Sequence, residues 1–124
     1  MSESIFTSAR TFRVWLYAVG HSTLLLRSVK ESGIATRIDL LFKPVRYMSL
    51  PTTLEGVDVR LVEPAMLTGE LAAVLKAYGT KDNIYALAGT NGAAWVVSGV
   101  VAWHEDEGGH SDASHFDVPR MVVQ

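Results

Sequence analysis

The densest collection of potential ligands in the chain runs from His104 to Asp117, where five acids and three histidines occur with no Lys or Arg. His104, His110 and His115, with carboxylates between them, offer the nitrogen and oxygen donors that a divalent cation accepts. Their spacing differs from the helical two-histidine arrangement of zinc hydrolases, and Gly108-Gly109 would break the helix which that arrangement requires. The commoner reading of such a composition is a solvated acidic tail. A second constellation is Arg37 with Asp39, two apart and so on one face of a strand, where a carboxylate and a guanidinium can orient a polar ligand. Asp58 and Arg60 repeat the pattern, and a charge ladder would follow if the two strands pair. Polar-out alternation with exposed ion pairs explains both equally well. His21 precedes Ser22 in a turn between aromatic strands. Neighbouring residues rarely align a hydroxyl with a ring nitrogen, and no nucleophile elbow surrounds them, so a turn histidine bonded to local backbone is expected.

Aromatic residues form a third group. Ala93 to Trp103 is apolar on both faces, with Trp95, Val97, Val101 and Trp103 sharing one side. A strand of that kind is covered on both sides or ends at a subunit interface. These four residues are therefore the expected interface of a homodimer, or of a complex with another protein. Base stacking by the same rings would need a basic groove, and the chain has a net charge of −2; nucleic acid is excluded as a general partner. Charge is uneven, with eight Lys/Arg against five Asp/Glu up to Val62 and three against eight from Glu63 onward, so the acidic end is able to fold back on the basic strands.

These residues need a scaffold. A length of 124 residues with 48% hydrophobic and 19% charged residues implies one folded domain with one core. The absence of cysteine removes disulfides, thiolate nucleophiles and Cys-type zinc sites. No apolar stretch reaches the roughly 20 residues of a spanning helix, and the N-terminus lacks the pattern of a secretory signal, so a cytoplasmic protein without membrane contact is expected.

Residues 1–10 read as a loose arm. Phe12 to Val19 and Thr23 to Ser28 alternate as strands around Gly20-His21-Ser22, a hairpin, with Phe12, Val14, Leu16 and Ala18 on one face. Thr36 to Phe42 is a half-buried strand that ends or bulges at Pro44, and Val57 to Leu61 alternates without fault. Leu67 to Gly79 changes period, with Leu71, Val74, Leu75 and Tyr78 at helical spacing and Thr68 as N-cap, predicting an amphipathic helix of about three turns. Asn83 to Ala88 and Ala93 to Trp103 flank Asn91-Gly92, a hairpin signal, and Gly99 in mid-strand implies a bulge or the close approach of another backbone. The expected fold class is α+β: an antiparallel sheet or half-barrel of about six strands, residues 11–103, with one helix packed on it, followed by the 104–124 tail.

The segments Trp15-Leu16-Tyr17, Leu24-Leu25-Leu26-Arg27-Ser28, Arg37-Ile38-Asp39-Leu40-Leu41-Phe42 and Leu50-Pro51 resemble a group of small bacterial, mainly actinobacterial, proteins. The resemblance covers the first half of the chain and implies common ancestry but no activity. The expected function is non-catalytic and needs no cofactor: an interaction or accessory domain of immunity type, acting through a sheet face or dimer interface. The alternatives are a small-ligand-binding domain or minor hydrolase built on Arg37, Asp39 and His21, and a metal-binding protein built on the tail histidines.

Overall fold

A computed structural model describes residues 4–63, 82–89 and 92–116, with positions 65, 69, 72, 73 and 76 between them. Six antiparallel strands, β1 (Ser4–Ala18), β2 (Thr23–Ser28), β3 (Arg37–Ser49), β4 (Thr53–Leu61), β5 (Asn83–Gly89) and β6 (Gly92–Asp106), close into a barrel in the order β1-β2-β3-β6-β5-β4. Two meanders, β1-β2-β3 and β4-β5-β6, are joined along both edges by β1 with β4 and β3 with β6. The ladders are staggered around the barrel: residues 4–12 of β1 pair with β4 alone, and residues 99–106 of β6 pair with β3 alone.

The α+β expectation is overturned. The described residues contain no helix of seven or more residues, only short pieces such as the 3-10 turn Val19–His21, and the architecture is all-β. Most of the expected 67–79 helix, including Leu71, Val74, Leu75 and Tyr78, lies outside the described residues. The half-barrel is in fact closed, because the first strand starts at Ser4, inside the expected loose arm, and pairs with β4 from there.

The lumen is filled. Phe12, Leu24, Leu26, Leu40, Phe42, Leu54, Val59, Leu87 and Val96 are buried in one cluster. Six strands enclose a narrower space than the eight-stranded barrels whose lumen side chains just fill. Phe6 of β1 and Trp103 of β6, strands on opposite walls, meet across the lumen with ring centroids 5.2 Å apart. Phe6 also packs edge-on against Phe12.

Three irregularities decide which side chains face out. Between Val14 and Leu16 the β1–β2 register shifts, so Val14 pairs with lumen-facing Leu26 while Leu16 pairs with Leu25. Leu16 thus leaves the face it was expected to share with Val14, and Trp15 becomes the bulge residue. Leu54 and Val57, an odd spacing, are both in the core. Gly56 lies between them at a φ of 82°, opposite a slip in β1 between Ser8 and Thr11; a side chain there would be strained. The third lies where β3 meets β6. A Cβ on Gly99 would sit 2.8 Å from Pro44 Cδ and 3.3 Å from the Lys43 carbonyl oxygen. The close approach expected at Gly99 is therefore present, beside a register shift between Val45 and Tyr47.

Candidate functional site

Residues 23–28 of β2 are buried on both faces. Leu24 and Leu26 face the lumen, which leaves Arg27 on the outer face, opposite Asp39 of β3 and Arg13 of β1. Asp39 is in turn opposite His104 of β6, and Arg37 is opposite Asp106. A row of ionisable residues thus crosses four adjacent strands on the outside of the barrel, yet Arg27, Arg37 and Asp39 are buried.

The cover is the segment 107–116, which folds back from the end of β6 across this face. Arg27 donates from Nε and Nη2 to the two Asp39 oxygens at 2.7 and 3.0 Å, and from Nη1 to the carbonyl oxygens of His110 and Asp112. Arg37 donates from Nε and Nη2 to both oxygens of Asp106 at 3.0 Å, and from Nη1 and Nη2 to the carbonyl oxygens of Gly109, Asp112 and Ala113. The planar fork of each guanidinium is matched to a carboxylate on one side and to peptide oxygens on the other. Gly108 is where the strap crosses Arg37, and a Cβ there would collide with the guanidinium carbon. The strap closes on itself as well, since Asp112 Oδ2 accepts the Gly109 N–H at 2.7 Å.

The Arg37 bond holds the Asp106 carboxyl below the usual carboxylate range, against the opposing effect of burial, and the Gly108 N–H adds to the lowering. Arg27 also lies 5.1 Å from the centre of the Trp15 ring, so the bulge that expels Trp15 from the ladder gives the guanidinium an aromatic wall.

Beside this clasp is a concavity of about 190 Å³ lined by Thr11, Arg13, Arg27, Ser28, Lys30, Glu31 and their neighbours. Alternation on β1 puts Phe12 into the lumen and Thr11 and Arg13 outward, and the turn after β2 brings Lys30 and Glu31 over them. His110 of the strap is the opposite wall, its ring Nε2–H donating to the Lys30 carbonyl oxygen at 3.0 Å. Arg13 and Lys30 have no hydrogen-bond or ion-pair partner for their side chains among the described residues.

The expected site of Arg37, Asp39 and His21 is not assembled. Arg37 and Asp39 bind the strap and Arg27, whereas His21 is exposed in the turn that enters β2, and Arg27 is near the far end of that strand. Strands β3 and β4 are not neighbours, so no ladder links Arg37 and Asp39 with Asp58 and Arg60. Of the three tail histidines, His104 and His115 stack with centroids 3.7 Å apart and Phe116 edge-on to both, while His110 is at the groove. No group of three metal-ligating side chains occurs among the described residues. His104 to Asp106 belong to β6 rather than to a tail.

The expected interface is also largely consumed within the chain. Val97 is fully buried with Ile84, Trp95 packs against that pair, and Val101 packs on the lumen cluster; only Trp103, 43% exposed, is open. Ala94 and Val96 share the core with Val101, so the two faces expected for this strand exchange sides along it. Arg13, Arg27, Lys30 and Asp106 were not singled out from the sequence. The available signal was Arg27, a lone charge ending the apolar run Leu24-Leu25-Leu26.

Among the described residues no helix is long and apolar enough to cross a membrane. Compared with protein-family models, curated proteins and solved structures, the chain matches none.

Proposed function

We propose that this protein is a small-ligand-binding barrel whose ligand is an oxyanion, a phosphate or carboxylate group, seated in the groove outside β1 and β2. The observation that carries this reading is Arg13. It stands directly opposite Arg27 on one face of the β1–β2 ladder, with Lys30 lining the same concavity. Like charges directly opposite one another are unfavourable. Asp39 neutralises Arg27, but Arg13 and Lys30 face only Glu31 on the groove lining, so an anion would supply the missing countercharge. Thr11 and Ser28 add hydroxyl groups that can donate to its remaining oxygens.

The site is read as one for binding because His110 uses Nε2 on a backbone carbonyl and no described hydroxyl of the groove is bonded to its ring. A nucleophile activated by a base needs that contact. The packed lumen supports placing the ligand outside the barrel. Titration with inorganic phosphate and with citrate, followed by calorimetry and by Trp fluorescence, tests the reading. Binding is expected to weaken with salt and to fall at least tenfold in Arg13→Gln/Lys30→Gln. A double variant that binds both anions as well as the native chain, or a native chain that binds neither, overturns it.

A further inference from the structure

We infer that the groove and the strap are one coupled unit, in which an oxyanion held by Arg13 and Lys30 stabilises the seated strap 107–116 through Arg27 and His110, and the seated strap completes the site. This rests on the oxyanion reading above and goes beyond it by assigning the strap a role in binding.

Arg27 belongs to both structures. Its side chain is 2% exposed and lines the groove, and it is bound to Asp39 and to two strap carbonyls. Those contacts use four of its five N–H groups, both on Nη1 and one on Nη2 among them. The remaining Nη2 hydrogen has no partner among the described residues, on a side chain almost wholly removed from solvent. Arg37 differs, since its five hydrogen bonds account for all five donors and it does not line the groove. One guanidinium is therefore a closed clasp, and the other retains one unmatched donor on a residue that lines the groove.

His110 is the second shared residue. Its carbonyl is gripped by Arg27, its ring is tied to the Lys30 carbonyl, and the ring forms a wall of the groove. Lifting the strap would remove that wall and release the peptide segment that carries Lys30. The carboxylates near His110 are Glu31, on the groove lining, and Asp112, whose Oδ2 is engaged by the Gly109 N–H. Neither is bonded to the ring among the described residues.

Coupling of this kind is reciprocal: if phosphate favours the seated strap by some factor, the seated strap favours phosphate by the same factor. The test is hydrogen exchange of the 107–116 amides in the full chain, with and without saturating inorganic phosphate, together with phosphate affinity in Gly108→Ala, whose methyl group would press on Arg37 outside the groove. Phosphate is expected to slow strap exchange by about 5-fold or more, and Gly108→Ala to weaken phosphate by a comparable factor. Phosphate that binds the native chain in an Arg13- and Lys30-dependent way while leaving strap exchange unchanged overturns the coupling and leaves the oxyanion reading standing. Absence of phosphate and citrate binding overturns both. The exchange measurement on the native chain needs no variant, so a Gly108→Ala chain that failed to fold would not remove the test.

Discussion

Strand β2 is buried on both sides, but by different means. Its inner face, Leu24 and Leu26, is covered by other apolar side chains of a closed barrel, and its outer face, with Arg27, is covered by peptide carbonyls. Inside, stability scales with apolar area removed from water and tolerates many arrangements of similar volume. Outside, a buried charge is tolerable only when its donors are matched. Arg27 and Arg37 place nine hydrogen bonds on two carboxylates and four strap carbonyl oxygens. The inner face explains why a barrel forms; the outer face explains why segment 107–116, rich in acids and glycine, lies against it.

The sharpest way to break the comparison is to damage each face in turn. Phe42→Ala empties part of the lumen and is expected to cost about 3–5 kcal/mol in denaturant unfolding. Asp39→Ala, which leaves Arg27 buried without its carboxylate, is expected to cost a similar 3–5 kcal/mol or so. The double variant Arg27→Met/Asp39→Leu separates the faces. Replacing a buried pair by apolar residues is often neutral or stabilising, so the barrel should keep its stability while the strap amides lose protection from hydrogen exchange. A double variant as unstable as Asp39→Ala would show that the outer charges hold the barrel together, contrary to the division drawn between the two faces.

That division also marks how far the sequence could be read. The flawless alternation of Val57 to Leu61 and the Asn91-Gly92 signal correctly indicated β4 and the β5–β6 hairpin, because both are local patterns. The Trp15 bulge was not legible, since it depends on pairing with β2 and moves Leu16 to the other face with no change in composition. Closure was hidden as well: β1 and β4 are far apart in sequence, and residues 4–10 look polar because alternate side chains face solvent. The uneven charge left open a fold-back of the acidic end on the basic strands and a merely solubilising tail, and the strap takes the first course. Its agents were not visible, because every donor of Arg27 and Arg37 that reaches the strap engages a carbonyl oxygen, which every residue carries and composition cannot reveal. Asp106 is the acid that does pair with Arg37.

Acid should open the outer face before it touches the inner one. The Asp106 carboxyl titrates below its ordinary value of 3.8 in the folded protein, owing first to the bond from Arg37. A carboxylate with a lowered folded pKa contributes stability that is fully present above the unfolded value and is lost as pH falls through the folded one. The clasp is therefore intact at neutral pH and weakens below 3.8. Strap exchange measured at a series of pH values, corrected for intrinsic rates, should show an extra opening step there. Asp106→Asn should abolish that step and ease strap opening at pH 7 by about 1.5–3 kcal/mol, the range for a hydrogen bond to a charged group. A step that persists in Asp106→Asn would assign it to another group.

The smallest effect is expected at Asp58, which resembles Asp39 in chemistry and differs in exposure. Asp58 accepts the Ser4 hydroxyl at 2.6 Å and Arg60 Nε at 2.8 Å, and these bonds, Ser4 first, lower its pKa. The side chains of Asp58 and Arg60 are 27% and 43% exposed, against 1% and 2% for Asp39 and Arg27. Water already solvates the exposed pair, so its geometry is worth at most about 1 kcal/mol, and less in high salt. Asp58→Asn should therefore shift the denaturant midpoint only slightly, with that shift shrinking as salt is raised and vanishing as pH falls through the lowered folded pKa, beneath which the native carboxylate is itself protonated. A cost in Asp58→Asn as large as that of Asp39→Ala would mean that burial is not what gives the outer clasp its weight, and the contrast between the strap-covered and open parts of the barrel surface would have to rest on the strap carbonyls alone.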